Sequence, residues 1–249
     1  MSRRTNRYLC KNKILLIMKK ILFLMAIALP FILISCGDDK DEPAVPDKGD
    51  YVDLGLPSGT LWATRNVGAD KPEDIGDYFA WGETTPKTTY VVENYKWGGY
   101  DSNGEFYLSK YNDNPWYGAI DNKNELDPAD DAASVHYPHG RMPSDEQIRE
   151  LCSKCSWQWT QRNGVNGQLV TGPNGNTMFL PATGYYYGSK SSLKEVGSSG
   201  ACWTRTINLD DAPNARCMFW GDRGDRDREC GAILRTSGLT VRAVRASKN

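Results

Sequence analysis

The sequence predicts an α+β domain over residues 50–249, with short strands in a turn-rich chain and two helices among them. Three observations carry that expectation. Gly, Asn and Asp lie scattered between short apolar runs, which suits β structure better than a helical bundle. Ser144-Asp145-Glu146-Gln147, just after Pro143, spells a helix N-terminus. Gln168–Thr171 and Thr177–Leu180 flank Gly172-Pro173-Asn174-Gly175-Asn176, the pattern of a hairpin with its turn residues in place. Roughly 200 residues make one domain with a real core. All eight tryptophans and twelve of the thirteen tyrosines fall within it.

Residues 1–36 read as a processing signal rather than as fold. Lys19 and Lys20 precede an apolar run that closes on Leu33-Ile34-Ser35-Cys36. That spelling resembles the lipobox at which bacterial signal peptidase cleaves after a diacylglycerol is attached to the cysteine thiol. The alternative is a transmembrane helix, but the run from Ile21 to Ser35 is well short of the roughly 20 apolar residues that span a bilayer. Met18 opens a signal of conventional length by itself, so the start lies at Met1 or Met18. Cys36 is thus the expected lipidation site, with outer-membrane lipid as its partner.

Residues 37–49 are expected to be a tether. Gly37-Asp38-Asp39-Lys40-Asp41-Glu42 followed by Pro43, Pro46 and Gly49 is a composition that cannot bury itself. The acidic run is similar to the export signal that sends Bacteroidota lipoproteins to the outer face of the outer membrane, although a charged linker has the same composition. Of the 30 basic residues seven precede Cys36, leaving 23 against 31 acidic ones, a formal net charge of −8 for the mature chain. That balance argues against nucleic acid as a partner.

The elements follow in order. Tyr51–Leu56 alternates, and Pro57-Ser58-Gly59 turns it into a second short strand, Thr60–Thr64. Asp130–Val135 has acids where a helix N-terminus favours them and helix formers behind. The capping box at Ser144 starts a helix with Ile148, Leu151, Cys152 and Cys155 on one face. After Trp157 and Trp159 the chain reads as a meander, with further strands at Ala201–Arg205, Arg216–Trp220 and Leu239–Val244. Gly197-Ser198-Ser199-Gly200 lacks the spacing of a nucleophile elbow and reads as a loop. Residues Gly221–Gly231 are too polar and glycine-rich for core, and are expected to be a loop.

Chemistry-bearing residues are few. His136 and His139 are the only histidines, and Pro138 between them argues against a regular helical ligand pair, so no metal ligand and no catalytic residue is expected here. Once Cys10 is removed and Cys36 acylated, five cysteines remain, and an odd number leaves at least one thiol unpaired in the monomer. Cys152 and Cys155 have the spacing of a metal knuckle or redox pair, yet no second paired cluster follows. Isolated helix thiols, or one disulfide to a distant cysteine, are the expectation, and no cofactor is assigned.

Several long strings resemble one family. Tyr51-Val52-Asp53-Leu54-Gly55-Leu56-Pro57-Ser58-Gly59-Thr60-Leu61-Trp62-Ala63, Gly76-Asp77-Tyr78-Phe79-Ala80-Trp81-Gly82-Glu83, Asp130-Asp131-Ala132-Ala133, Arg141-Met142-Pro143 and Arg235-x-x-Gly238-x-x-Val241-Arg242-x-Val244 are similar to the Fibrobacter succinogenes major paralogous domain. The resemblance implies a C-type lectin-like fold of the kind seen in formylglycine-generating enzymes: two helices, a small twisted mostly antiparallel sheet and long loops. It places Arg141-Met142-Pro143-Ser144 where that wider group has an arginine-x-proline-threonine helix start. The enzymes hold copper with two cysteines five positions apart, a spacing that Cys202, Cys217 and Cys230 lack. The lectin calcium and sugar motifs are absent too, with Ala212-Pro213-Asn214 a partial echo.

The expected function is therefore binding of an extracellular protein or glycan by a surface adhesin or receptor-like module. The competing classes are a formylglycine-generating-like or metal-dependent enzyme and a structural subunit of a surface appendage. The expected ligand-binding residues are Trp203, Arg205, Asp210, Asn214, Arg216, Phe219, Asp222, Arg223, Asp225, Arg226 and Arg228. The bland reading of the polar stretch within them is a solvated, self-compensating loop. Arg223-Gly224-Asp225 spells an integrin-binding tripeptide, a coincidence in a segment so rich in those residues. In some C-type lectin-like proteins this region is diversified by a retroelement that mutates adenines. The unusual Arg, Asp, Gly and Cys content here, within the better-matching frame of Trp203, Ala215, Met218, Arg235 and Gly238, suits that.

Overall fold

The domain is α+β, with mostly antiparallel sheets and two helices, in a computed structural model that describes residues 50–188, 190–209, 211–222 and 228–247. Cys36, the tether, Asp210, Arg223, Asp225 and Arg226 lie outside the described residues. In chain order the first strands are β1 (Tyr51–Asp53), β2 (Thr60–Ala63), β3 (Tyr78–Phe79), β4 (Gly98–Tyr100) and β5 (Phe106–Leu108). Helices α1 (Ala132–His136) and α2 (Asp145–Lys154) precede β6 (Ser156–Arg162), β7 (Val165–Thr171) and β8 (Thr177–Pro181). Then come β9 (Tyr185–Tyr187), β10 (Ser192–Lys194), β11 (Ser199–Ile207), β12 (Asn214–Gly221), β13 (Arg228–Leu234), β14 (Leu239–Thr240) and β15 (Val244–Ala246).

A five-stranded sheet in the order β13-β12-β11-β14-β3 is flanked by the three-stranded sheets β1-β2-β15 and β6-β7-β8, with ribbons β4-β5 and β9-β10. Between these strands every pairing is antiparallel except that of β11 with β14. Local chemistry sets the first hairpin: Gly59, at φ 67°, donates its amide to the Leu56 carbonyl at 2.9 Å, and Tyr51 falls opposite Ala63. At α2 the capping box forms in both directions. Ser144 Oγ accepts from the Gln147 amide at 3.2 Å, and Gln147 Oε1 accepts from the Ser144 amide at 2.9 Å. Ile148 and Leu151 on its inner face are wholly buried.

Side-chain alternation divides the core between the two faces of the large sheet. Cys202, Met218 and Trp220 point toward α2 and pack with Trp62, Ile148, Leu151 and Leu180. Ala201, Trp203, Ala215 and Cys217 point the other way and pack with Phe79, Trp81 and Met142. Three of the buried indoles donate to carbonyls: Trp81 to Thr204 at 2.8 Å, Trp203 to Phe79 at 2.7 Å and Trp220 to Pro181 at 3.1 Å. Gly200 is required inside β11 because the Trp220 ring lies 2.3 Å from where a Cβ would stand.

Four expectations change. The helix expected from Asp130 begins later: Asp131 is its N-cap, accepting from the Ser134 amide at 3.1 Å, while Asp130 ends a short 3-10 turn. The strand expected over Leu239–Val244 is two strands, because the chain leaves the large sheet after Thr240 and joins β2 at Val244. Between them the carbonyls of Val241 and Ala243 accept from Val67 and Ala63. The loop expected to run to Gly231 ends sooner, since Arg228–Leu234 pairs with β12 from Asn214 to Trp220. The loop expected at Gly197–Gly200 gives way at Ser199, where β11 begins. In the last three cases a partner strand supplies backbone hydrogen bonds that the local composition does not advertise.

Candidate functional site

The outermost strand, β13, and its neighbour β12 form one wall of a surface trough, and the β9-β10 ribbon forms the other. The ribbon is fastened by reciprocal bonds: the Tyr186 amide donates to the Gly238 carbonyl at 2.8 Å, and the Gly238 amide donates to the Tyr186 carbonyl at 3.1 Å. Gly238 is needed there, since a Cβ would meet the Tyr90 ring at 2.7 Å. Thus seated, Tyr185 meets Phe219 edge to face, ring centres 5.5 Å apart.

Three depressions adjoin along this wall. A cleft of about 230 Å³ lies among Tyr185, Glu195, Ser199, Phe219 and Glu229. A second, of about 430 Å³, shares Tyr185 and Phe219 and reaches Tyr187, Asn214 and Ile233. A third, of about 310 Å³, shares Tyr187 and Leu234 and extends to Tyr90, Glu93 and Tyr100. Their shared walls make one trough, lined by aromatic rings with carboxylates of Glu195 and Glu229 at one end. Phe219 and Glu229 are directly opposite across the strands, so they share a face. Burial pushes the Tyr90 hydroxyl up to about 12, and that phenol stays protonated, donating to the Tyr78 carbonyl.

The residues expected to bind a ligand separate into three groups. Asn214 and Phe219 line the trough, and Asp222 is exposed just past Gly221 at the end of β12. Trp203 is corrected to a core residue: an indole with no exposed surface touches only protein. Arg205, Arg216 and Arg228 are likewise taken up by the scaffold. Arg205 pairs with Glu125 at 2.8 Å and donates to the Met142 carbonyl at 2.9 Å, and Arg216 pairs with Asp145 at 3.2 Å. Arg228 donates to the Cys152 carbonyl at 2.8 Å and lies 5.7 Å over the Trp157 ring. The third group, Asp210, Arg223, Asp225 and Arg226, lies outside the described residues.

Tyr185, Tyr187, Glu195 and Glu229 were not among the expected residues. The run Tyr185-Tyr186-Tyr187 before Gly188 was the available signal, because three consecutive rings cannot all face inward on one strand. Arg235 and Arg242 are fully buried. Arg235 donates to the Tyr111 carbonyl at 2.9 Å over the face of Trp81, and Arg242 donates to the carbonyls of Ala63 and Phe179. Among the described residues no group of three His, Cys, Asp or Glu side chains stands close enough to hold a metal ion. Comparisons with protein-family models, curated proteins and solved structures give no match.

Proposed function

We propose that this chain is a surface-anchored binding lipoprotein. In this reading lipid on Cys36 holds it to the outer membrane, and residues 50–249 form a C-type lectin-like domain of the Fibrobacter succinogenes major paralogous kind. It acts as an adhesin or receptor-like module and not as an enzyme. The trough carries the proposal: rings on a rigid sheet edge with two carboxylates at one end are the ingredients of a recognition site, apolar area for affinity and a few polar groups for orientation. An extracellular protein or glycan would lay its apolar face on Tyr185, Tyr187 and Phe219 and donate hydroxyl or amide protons to Glu195 and Glu229. Diversification of this face is supported by burial, since Trp203, Ala215, Met218, Arg235 and Gly238 are all interior while Asp222 and Glu229 are exposed.

The test is binding to glycan arrays and host-cell surfaces by the wild type and by Tyr187→Ala and Glu229→Gln. Both substitutions are expected to weaken attachment with unchanged melting. Undiminished attachment in both variants would remove the trough from the site. Stoichiometric copper or zinc in the purified protein would overturn the non-enzymatic reading.

A further inference from the structure

We infer that Cys152 and Cys230 are a disulfide pair, joining α2 to the outermost strand β13. Their Sγ atoms stand 3.8 Å apart, against about 2.05 Å in the bond, a gap of roughly 2 Å that small rotations of two side chains close. The approach does not depend on the sulfurs. Arg228, two residues before Cys230, fixes β13 to the helix through the Cys152 carbonyl itself, at 2.8 Å. Met218, opposite Cys230 on β12, brings its thioether to 3.9 Å from the Cys152 Sγ, so the helix, β12 and β13 converge on one point.

The remaining thiols are placed for other roles. Cys217 faces the opposite side of the sheet, in the cluster around Trp203. Cys202 is wholly enclosed, and Cys155 is buried at the helix end. Cys152 and Cys230 are the two that are only partly buried, which leaves them the most open of the five to a disulfide-carrying reagent. A hydrogen bond from the Cys152 thiol holds Cys230 below the ordinary thiol value; burial opposes it and Arg149 and Arg216 assist, so Cys230 is the better nucleophile.

The oxidant is a disulfide, carried by an extracytoplasmic thiol–disulfide oxidoreductase or by glutathione. The Cys230 thiolate attacks one of its sulfurs, forming a mixed disulfide and expelling a thiolate that takes up the proton lost by Cys230. Cys152 then loses its proton and attacks the Cys230 sulfur, and the second carrier thiolate leaves and is protonated. Two protein thiols and one carrier disulfide become one protein disulfide and two carrier thiols. The bond fastens the strand whose Glu229, Ile233 and Leu234 line the trough, so the recognition wall becomes covalently braced.

Formation in the cell rests on the export proposed above, and two measurements keep that separate from the pairing. In the first, the full chain is expressed in its export-competent host, thiols are alkylated under denaturing conditions without reductant, and the digest is mapped by mass spectrometry. The expected result is a peptide linking Cys152 to Cys230, with Cys155, Cys202 and Cys217 alkylated. In the second, purified reduced protein is equilibrated with oxidised glutathione and mapped in the same way. Linkage in the second experiment alone upholds the pair and overturns export. Alkylated Cys152 and Cys230 in both, or linkage to a different cysteine, overturns the pair. As a variant-based check, reductant should lower the wild-type melting temperature by roughly 5–15 °C. Cys152→Ser, Cys230→Ser and the double variant should all melt at that lowered value and ignore reductant, whereas additive losses would overturn the pair.

Discussion

Arg228 and Glu229 are neighbours on one strand, and the pleat sends their side chains to opposite faces, so substituting each in turn separates scaffold from recognition. Arg228 bonds the Cys152 carbonyl at 2.8 Å and covers Trp157 at 5.7 Å. A hydrogen bond from a charged donor contributes about 1.5–3 kcal/mol, and a cation–π contact near the surface about 0.5–1 kcal/mol. Solvent screening at this half-buried position reduces both. Arg228→Ala is therefore expected to cost about 1–3 kcal/mol, a fall in melting temperature of roughly 3–10 °C for a domain of this size. Glu229 is exposed opposite Phe219, and Glu229→Gln should alter stability by no more than about 0.5 kcal/mol while weakening attachment. Thermal melting by circular dichroism, run beside host-cell or glycan-array binding, reads both quantities. If Arg228→Ala melts as the wild type and abolishes binding while Glu229→Gln does neither, the faces are reversed and the reasoning fails.

Leu151→Ala should cost about 2–5 kcal/mol in a denaturant titration, because the side chain is fully enclosed between α2 and the large sheet; a loss under 1 kcal/mol would deny that packing. Ser144→Ala removes the acceptor of the Gln147 amide and should cost about 1 kcal/mol; an unchanged midpoint would show the cap to be replaceable. Hydrogen bonds from Lys110 and Lys123 hold Asp127 down at about 2, and although burial opposes it Asp130 is also held low by Lys110 and Tyr111. Folded values below the unfolded value of about 4 mean stability that is full above that pH and is lost as pH falls toward about 2. Melting temperatures taken from pH 6 to pH 2 should show that loss, and Asp127→Asn should flatten it; an identical curve would remove Asp127 as a contributor. Cys36→Ser should release the protein from the membrane fraction, since each buried methylene of the attached chains contributes about 0.8 kcal/mol; continued sedimentation with membranes would refute lipidation.

What the sequence determined by itself is what neighbours along the chain decide. The turn at Pro57-Ser58-Gly59, the capping box at Ser144 and the hairpin around Pro173–Asn176 each depend on residues a few positions apart, and each formed where the pattern lay. The alternation of Met218 and Trp220 with Cys217 and Phe219 suits a strand with one face on the core, and the strand formed, but both its faces pack against core clusters. Only the tertiary structure decided the rest, because long-range partners supplied the hydrogen bonds and the burial. β12 made a strand of the polar Arg228–Leu234 segment, and two separate sheets divided the apolar run after Leu239. The arginines of the C-terminal segment look alike in sequence, yet acids, carbonyls and rings far along the chain take up Arg205, Arg216 and Arg228. The trough draws Tyr90, Tyr185, Glu195, Phe219 and Glu229 from four separate stretches of chain, and a surface built from distant residues has no local pattern to reveal it.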